Sequence, residues 1–263
     1  YRLFRSILGK ASHCSQITHP EICCACSMVS RRMQNPSELD LEKAWYILCY
    51  LMGTVGKKEA RFTIKHNPMF GKDVDKRQSP IHLLCDASLG NQYDSRSRYG
   101  YAAYLFGNLI GWLSKMQASV ALSTAESEYV GISKSAQFAL WYKQLVSSMG
   151  LELAYYEPIV ILSDSESAIN IASSNVTVIN KYSKHILQRV HWCREFVQNG
   201  TLRLLHVAGT ENIADIHTKL LAKALFIKFR DLLLHGDFRA IRKVEGKCGL
   251  AALLLFIETL EQT

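Results

Sequence analysis

The chain has 263 residues, of which 48% are hydrophobic and 21% charged, and this composition excludes an intrinsically disordered protein. The net charge of +8 favours a polyanionic partner such as nucleic acid. The longest apolar run, Gly249 to Ile257, is far shorter than the roughly 20 residues that span a bilayer, so we expect no membrane association.

The eight cysteines form no regular framework, and we expect reduced, buried thiols in an intracellular protein. Those between Cys14 and Cys26 could belong to a zinc site, but their spacing matches no paired Cys-x-x-Cys frame, which favours buried thiols on a helix. Because the chain starts at Tyr1 rather than Met, we expect it to be a piece of a longer polypeptide.

The first block of the chain is predicted to be helical from Tyr1 to about Leu51, with a break at Pro36 and a new helix start at Ser37. Residues Ala60 to Lys65 alternate between apolar and polar types like a β-strand. The stretch from Pro68 to Ser79 is rich in charge and turn-forming residues and predicts a linker.

The second block opens with a short predicted strand, Ile81 to Cys85, that delivers Asp86 at its end. Two further strands, Gly100 to Phe106 and Leu109 to Ser114, are predicted on either side of a tight turn at Gly107 and Asn108. The predicted elements that follow are, in order, a helix from Ser123 or Thr124 to about Val146, a strand Pro158 to Leu162, a short helix around Ile169, a helix Lys184 to Asn199, a strand Leu202 to Val207 and a helix Thr210 to Leu221. This order predicts a mixed α/β sheet with flanking helices.

Four acidic residues, Asp86, Glu128, Asp164 and Asp215, stand where one predicted element gives way to the next. A lone glutamate in the first turns of a helix needs no function, because it complements the helix dipole. Four carboxylates at element ends instead indicate a metal site. Carboxylate oxygens suit Mg²⁺, and two such ions can hold the attacking and leaving oxygens of a phosphodiester.

The predicted helix from Lys184 to Asn199 carries His185, Arg189 and Trp192 on one face, at intervals of four and three residues. A cationic face with an aromatic side chain fits a sugar–phosphate backbone. The alternative is an ordinary solvated helix face.

Several segments resemble the ribonuclease H domain of copia-type LTR retrotransposon polyproteins, and others the end of the reverse transcriptase that precedes it. The ribonuclease H-like segments are Asp86–Ser88, Gly111–Gln117, Leu122–Tyr129, Leu162–Ala168, Ser183–Ile186 and Asn212–Lys219. The reverse-transcriptase-like segments are Thr18–Ile22, Ser30–Pro36 and Tyr50–Thr54.

The resemblance implies a ribonuclease H-like mixed five-stranded sheet with flanking helices, preceded by a small helical segment. It divides the chain into a mostly helical reverse-transcriptase remnant (1–70), a ribonuclease H-like domain (80–221) and a helical tail of unknown role (222–263). The implied activity is hydrolysis of the RNA strand of RNA–DNA hybrids with two Mg²⁺ ions, or Mn²⁺ in their place.

The four metal ligands of the family would fall on Asp86, Glu128, Asp164 and Asp215. Substrate contacts would come from Ser123 at the helix start and from Lys184, His185 and Arg189. The implied partners are an RNA–DNA hybrid and the remainder of the polyprotein, in a cytoplasmic particle or the nucleus.

Two alternatives stay open beside a hybrid-specific ribonuclease. The first is a non-catalytic nucleic-acid-binding remnant, since Ser88–Asn91 and Ser97–Gly100 depart from the family's usual residues. The second is another nuclease or integrase on the same fold. Because Glu126 and Glu128 point to roughly opposite sides of one helix, only one can face the metals, and we expect Glu128, with Glu126 a capping or exposed acid.

Overall fold

A computed structural model describes residues 1–64, 80–90, 96–150, 158–173 and 184–235, without the side chains of Glu59 and of residues 184–187. The predicted linker from Pro68 to Ser79 lies outside these ranges.

The N-terminal segment consists of three helices, α1 (Arg2–Ile17), α2 (Cys23–Ser30) and α3 (Glu38–Thr54). Phe4, Leu8 and Ala11 recur at helical spacing on α1 and pack, with apolar residues of α2 and α3, into one buried cluster. Helix α3 begins where the sequence predicts, because the Ser37 side chain accepts a hydrogen bond from the backbone N–H of Asp40 in a capping box.

The rest of the described chain forms a five-stranded sheet in the order β3-β2-β1-β4-β5. The central strand, β1, pairs antiparallel with β2 and parallel with β4; β3 extends the antiparallel side, and β5 pairs parallel with β4. The strands are β1 (Ile81–Ser88), β2 (Arg98–Leu105), β3 (Asn108–Met116), β4 (Ile159–Ser163) and β5 (Leu202–His206). This mixed sheet with flanking helices confirms the predicted ribonuclease H-like fold class.

Helices cover both faces of the sheet. Because side chains alternate along a strand, Leu83 and Cys85 of β1 belong to the apolar cluster on one face, and Leu84 belongs to the cluster on the other. The helices are α4 (Thr124–Ser148), α5 (Glu166–Ser173), α6 (Lys184–Gln198) and α7 (Lys223–His235). The first three bury apolar residues with Leu83, and α7 buries Phe229 and Leu233 with Leu84. Among the described helices, none combines the length and the apolar character needed to cross a membrane.

The hairpin turn and the end of β1 differ from the prediction. The turn residues are Phe106 and Gly107, both with positive φ (47° and 82°), and Leu105 pairs with Asn108 across them. Strand β1 runs to Ser88, so Asp86 lies inside the strand rather than after it. The reason is tertiary: the last residues of β1 continue to pair with β2.

Two other predicted elements are wrong. The described part of Ala60 to Lys65 contains no strand, and residues Lys58–Ala60 form a 3-10 turn. The helix predicted from Thr210 to Leu221 is replaced by two short 3-10 segments, Gly209–Glu211 and Ile213–His217.

The helical segment docks on the edge of the sheet through polar contacts. The indole Nε1 of Trp112 donates to the carbonyl of Ser15 at 2.6 Å. The buried Arg98 guanidinium donates to the hydroxyl of Ser27 at 2.6 Å and to that of Ser114 at 3.0 Å. The division into units at 1–70, 80–221 and 222–263 stays a prediction.

Candidate active site

Three aspartates meet at one edge of the sheet. Asp86 lies in β1, Asp164 directly follows β4, and Asp215 lies in the 3-10 segment after β5. Because β1, β4 and β5 run parallel, their carboxyl ends are at the same edge. One carboxylate oxygen from each aspartate lies within 4.8 Å of the other two.

Side-chain hydrogen bonds hold the Asp215 segment against β1. The Asn212 amide nitrogen donates to the carbonyl of Cys85 at 3.0 Å, and its amide oxygen accepts from the N–H of Ala214 at 3.2 Å. Gly100 of β2 allows the close approach, since a Cβ there would lie 2.5 Å from the Cβ of His217. These contacts bring Asp215 to Asp86.

Glu128 lies beside the three aspartates but outside their close group. Its Oε2 accepts from the backbone N–H of Ala87 at 2.9 Å, next to Asp86. The start of α4 is fixed by Gln117, whose amide donates to the carbonyl of Ser127 at 2.9 Å. Glu126 instead accepts from the N–H of Leu122 at 2.7 Å and closes the start of its own helix.

The carboxylates perturb one another. Burial, reinforced by the charges of Asp86 and Asp164, raises the pKa of Glu128 to about 9. Burial and the nearby Asp215 raise the pKa of Asp86 to about 6. Burial and Asp86 also raise the pKa of Asp164. Crowded carboxylates with raised pKa values favour binding of a cation.

Thr218 and Lys219, which follow Asp215 in the chain, complete the site. The Thr218 hydroxyl donates to the Asp86 carboxylate. The Lys219 ammonium lies 2.9 Å from Asp215 Oδ1 and 3.5 Å from Asp86. Burial lowers the pKa of Lys219, but the two carboxylates more than offset this and raise it above its usual value. Lys219 stands four residues after Asp215, a helical spacing from which it could have been found.

The donor set fits a hard divalent metal ion. All the close ligands are carboxylate oxygens, which Mg²⁺ and Mn²⁺ prefer. Asp164 Oδ1 is buried without a hydrogen-bond partner among the described residues, as expected for an oxygen that takes a metal. The Lys219 ammonium between Asp86 and Asp215 shows that a positive charge is accommodated there.

Of the predicted substrate contacts, the structure describes Ser123 and Arg189. The side chains of Lys184 and His185 lie outside the described residues. Ser123 is the N-cap of α4, and its hydroxyl accepts from the N–H of Glu126 at 3.1 Å. The half-buried Arg189 lies on α6.

Arg189 lines a groove of about 310 Å³ between α4 and α6, together with Lys134, Gln137 and Trp192. Burial, followed by the charges of Arg189 and Lys115, lowers the pKa of Lys134. The groove is therefore positively charged. Lys134 and Lys115 escaped prediction because they are distant from Arg189 in sequence and only the packing of α6 on α4 brings them near it.

The curated proteins that are similar in sequence to the chain include polyproteins of transposons. The Retrovirus-related Pol polyprotein from transposon TNT 1-94 of Nicotiana tabacum is 32% identical over 232 residues, 88% of this chain and 16% of the relative. That from transposon RE1 of Arabidopsis thaliana is 31% identical over 227 residues, 86% of this chain and 14% of the relative. The chain thus spans about a sixth of their length or less. No protein-family model matches the chain.

Solved structures similar to the chain include RNase H1 from Halobacterium salinarum, with 11% identity and a TM-score of 0.35 over 51% of this chain and 89% of that chain. A foamy viral protease–reverse transcriptase in complex with RNA/DNA hybrid has 13% identity and a TM-score of 0.44 over 84% of this chain and 26% of that chain. Both likenesses are distant.

Proposed function

Because the homologues of this chain are retrovirus-related Pol polyproteins of copia-type transposons, we propose that it is a ribonuclease H that hydrolyses the RNA strand of RNA–DNA hybrids. The observation that carries the proposal is the group of three aspartate carboxylates within 4.8 Å of one another, with Glu128 beside them. Such a site suits phosphodiester hydrolysis, and the net charge of +8 suits a nucleic-acid substrate.

We assign the metal site to Asp86, Glu128, Asp164 and Asp215. Two Mg²⁺ ions bound there would activate the attacking water and stabilise the leaving oxygen of the RNA strand. Asp86 lies centrally in this arrangement, since it contacts Thr218 and Lys219 and raises the pKa of both Glu128 and Asp164. The N–H of Ala87 orients the Glu128 carboxylate.

Other residues of the chain position the substrate. The groove that contains Lys134 and Arg189 supplies positive charge for the sugar–phosphate backbone. Ser123, Lys184 and His185 remain proposed contacts of the same strand. The homology also supports the proposed location inside the cell and the proposed partnership with the remainder of the polyprotein.

A second candidate function is non-catalytic nucleic-acid binding. It is favoured by Lys219, whose ammonium already pairs with Asp86 and Asp215, as in a structural ion-pair network. This candidate keeps the positively charged groove but gives the acids a purely structural role.

The decisive experiment is incubation of the chain with an RNA–DNA hybrid labelled on the RNA strand. We expect cleavage that requires Mg²⁺ or Mn²⁺ and stops with EDTA, while single-stranded and duplex DNA stay intact. Asp86→Asn is the matched control, because it keeps the size of the side chain but removes the ionised ligand. Equal cutting of duplex DNA would exclude hybrid specificity, and hybrid binding without cleavage would favour the second candidate.

A further inference from the structure

A second positively charged cleft lies between the helical segment and the sheet. It has a volume of about 450 Å³ and brings together arginines from both parts of the chain. Those of the helical segment are Arg31 and Arg32, and those of the sheet side are Arg96 and Arg98. This cleft is distinct from the groove that contains Lys134 and Arg189, with which it shares none of its lining residues.

The arginines of the cleft differ in how they are held. Arg98 is buried and fixed by its hydrogen bonds to the hydroxyls of Ser27 and Ser114. Arg31, Arg32 and Arg96 are exposed. Four guanidinium groups around one space create a positive potential, which favours binding of an anion in the cleft.

The cleft adjoins the aspartate group. Thr218 lines the cleft, and its hydroxyl donates to the Asp86 carboxylate. Ser88, which also lines the cleft, follows Asp86 by two residues in β1, or about 7 Å along a strand.

We propose that this cleft binds phosphodiester groups of the nucleic-acid strand that crosses the aspartate group, so that the helical segment forms part of the substrate site. The inference rests on the proposed function. Guanidinium groups present planar, paired donors that match phosphate oxygens, and the hydroxyl of Ser88 adds a further polar group. The ligand is a phosphodiester strand, because the cleft continues directly from the site that would cut one.

The test compares two double variants of the full chain. Arg31→Ala/Arg32→Ala removes two exposed charges from the cleft, and Lys57→Ala/Lys58→Ala removes two exposed charges of the same segment that do not line it. Binding of a fluorescent RNA–DNA hybrid is measured by anisotropy in EDTA, as a function of salt. Thermal melts check that both variants stay folded.

We expect the arginine pair to weaken hybrid binding roughly tenfold and to lower the log–log salt slope by about one to two units, since each lost phosphate contact removes about one. The lysine pair should leave the slope unchanged. Equal slopes for the two pairs would overturn the proposal, as would displacement of the hybrid by inorganic phosphate at a comparable phosphate concentration, which would assign the cleft to free phosphate.

The two proposals fail in different ways. Arginine-dependent binding without Mg²⁺-dependent cleavage would reject the ribonuclease activity and keep the cleft as a strand-binding site. Cleavage by a chain whose hybrid binding is insensitive to the arginine pair would keep the activity and reject the role of the cleft.

Discussion

At the scale of single residues, Glu126 and Glu128 show how two neighbouring carboxylates of one helix acquire different surroundings. Both are buried, but Glu126 accepts a backbone N–H of its own helix start, whereas Glu128 accepts one from β1. The pKa of Glu128 is raised by burial and by Asp86 and Asp164. The carboxylate of Glu128 is therefore the one that lies beside the three aspartates.

Glu128→Gln should lower the rate of hybrid cleavage by about two to three decades, because loss of a metal ligand removes several kcal/mol of transition-state stabilisation, at about 1.4 kcal/mol for each decade. Glu126→Gln should cost at most about tenfold, since a neutral amide oxygen can still accept the N–H of Leu122. Single-turnover cleavage assays of the matched pair check this. A reversed order would show that Glu126 is the ligand.

At the scale of elements, the pairing of α4 with α6 creates the groove that we propose for the sugar–phosphate backbone. The hydroxyl of Tyr129 on α4 donates to the carbonyl of Arg189 on α6 at 3.2 Å, which fixes the register of the two helices. Burial lowers the pKa of Lys134, and the charge of the nearby Arg189 lowers it further. Neither helix forms the groove alone.

Arg189→Ala should weaken hybrid binding without regard to sequence and lower the log–log salt slope by up to about one unit. Lys223→Ala is the matched control, because it removes an exposed charge from α7. Anisotropy titrations at several salt concentrations measure both variants. If the two slopes agree, α6 presents only a solvated face.

At the scale of the whole molecule, the acid group couples folding to pH and to metal. The raised pKa values of Asp86 and Glu128, about 6 and about 9, mean that the folded chain holds protons more tightly than the unfolded chain. Without metal, their contribution to stability is therefore greatest below pH 4 and is lost as the pH rises through about 9. A divalent ion bound at the proposed site would reverse this loss, since it would stabilise the ionised carboxylates.

We therefore expect the rise in Tm that Mg²⁺ produces to be larger at pH 8.5 than at pH 5.5. Differential scanning fluorimetry with Mg²⁺ and with EDTA measures it. In the Glu128→Gln variant, the Mg²⁺-induced rise in Tm should differ less between pH 8.5 and pH 5.5, because the carboxyl group with the most strongly raised pKa is gone. A Mg²⁺ effect that is independent of pH would contradict the assigned site.

The sequence by itself determined most of the helices and strands and the candidate acids. Apolar periodicity and the residues at helix ends are local, so α4, β4, α6 and β5 begin and end within two residues of their predicted bounds. The fold class followed from the order of these elements and from the resemblance, and the sheet order confirms it. The acids could be selected because each stands near an element end; Asp86 and Asp164 stand near the carboxyl ends of parallel strands, which lie at one edge of the sheet.

Only the tertiary structure decided which residues lie together. Asp86 is inside β1 because β2 continues to pair beyond it, and Asp215 lies in a 3-10 segment because Asn212 bonds to the carbonyl of Cys85. The two positively charged surfaces join residues far apart in the chain, such as Arg32 with Thr218 and Lys134 with Arg189. No local pattern encodes such pairs, since the packing of helices against strands brings them together.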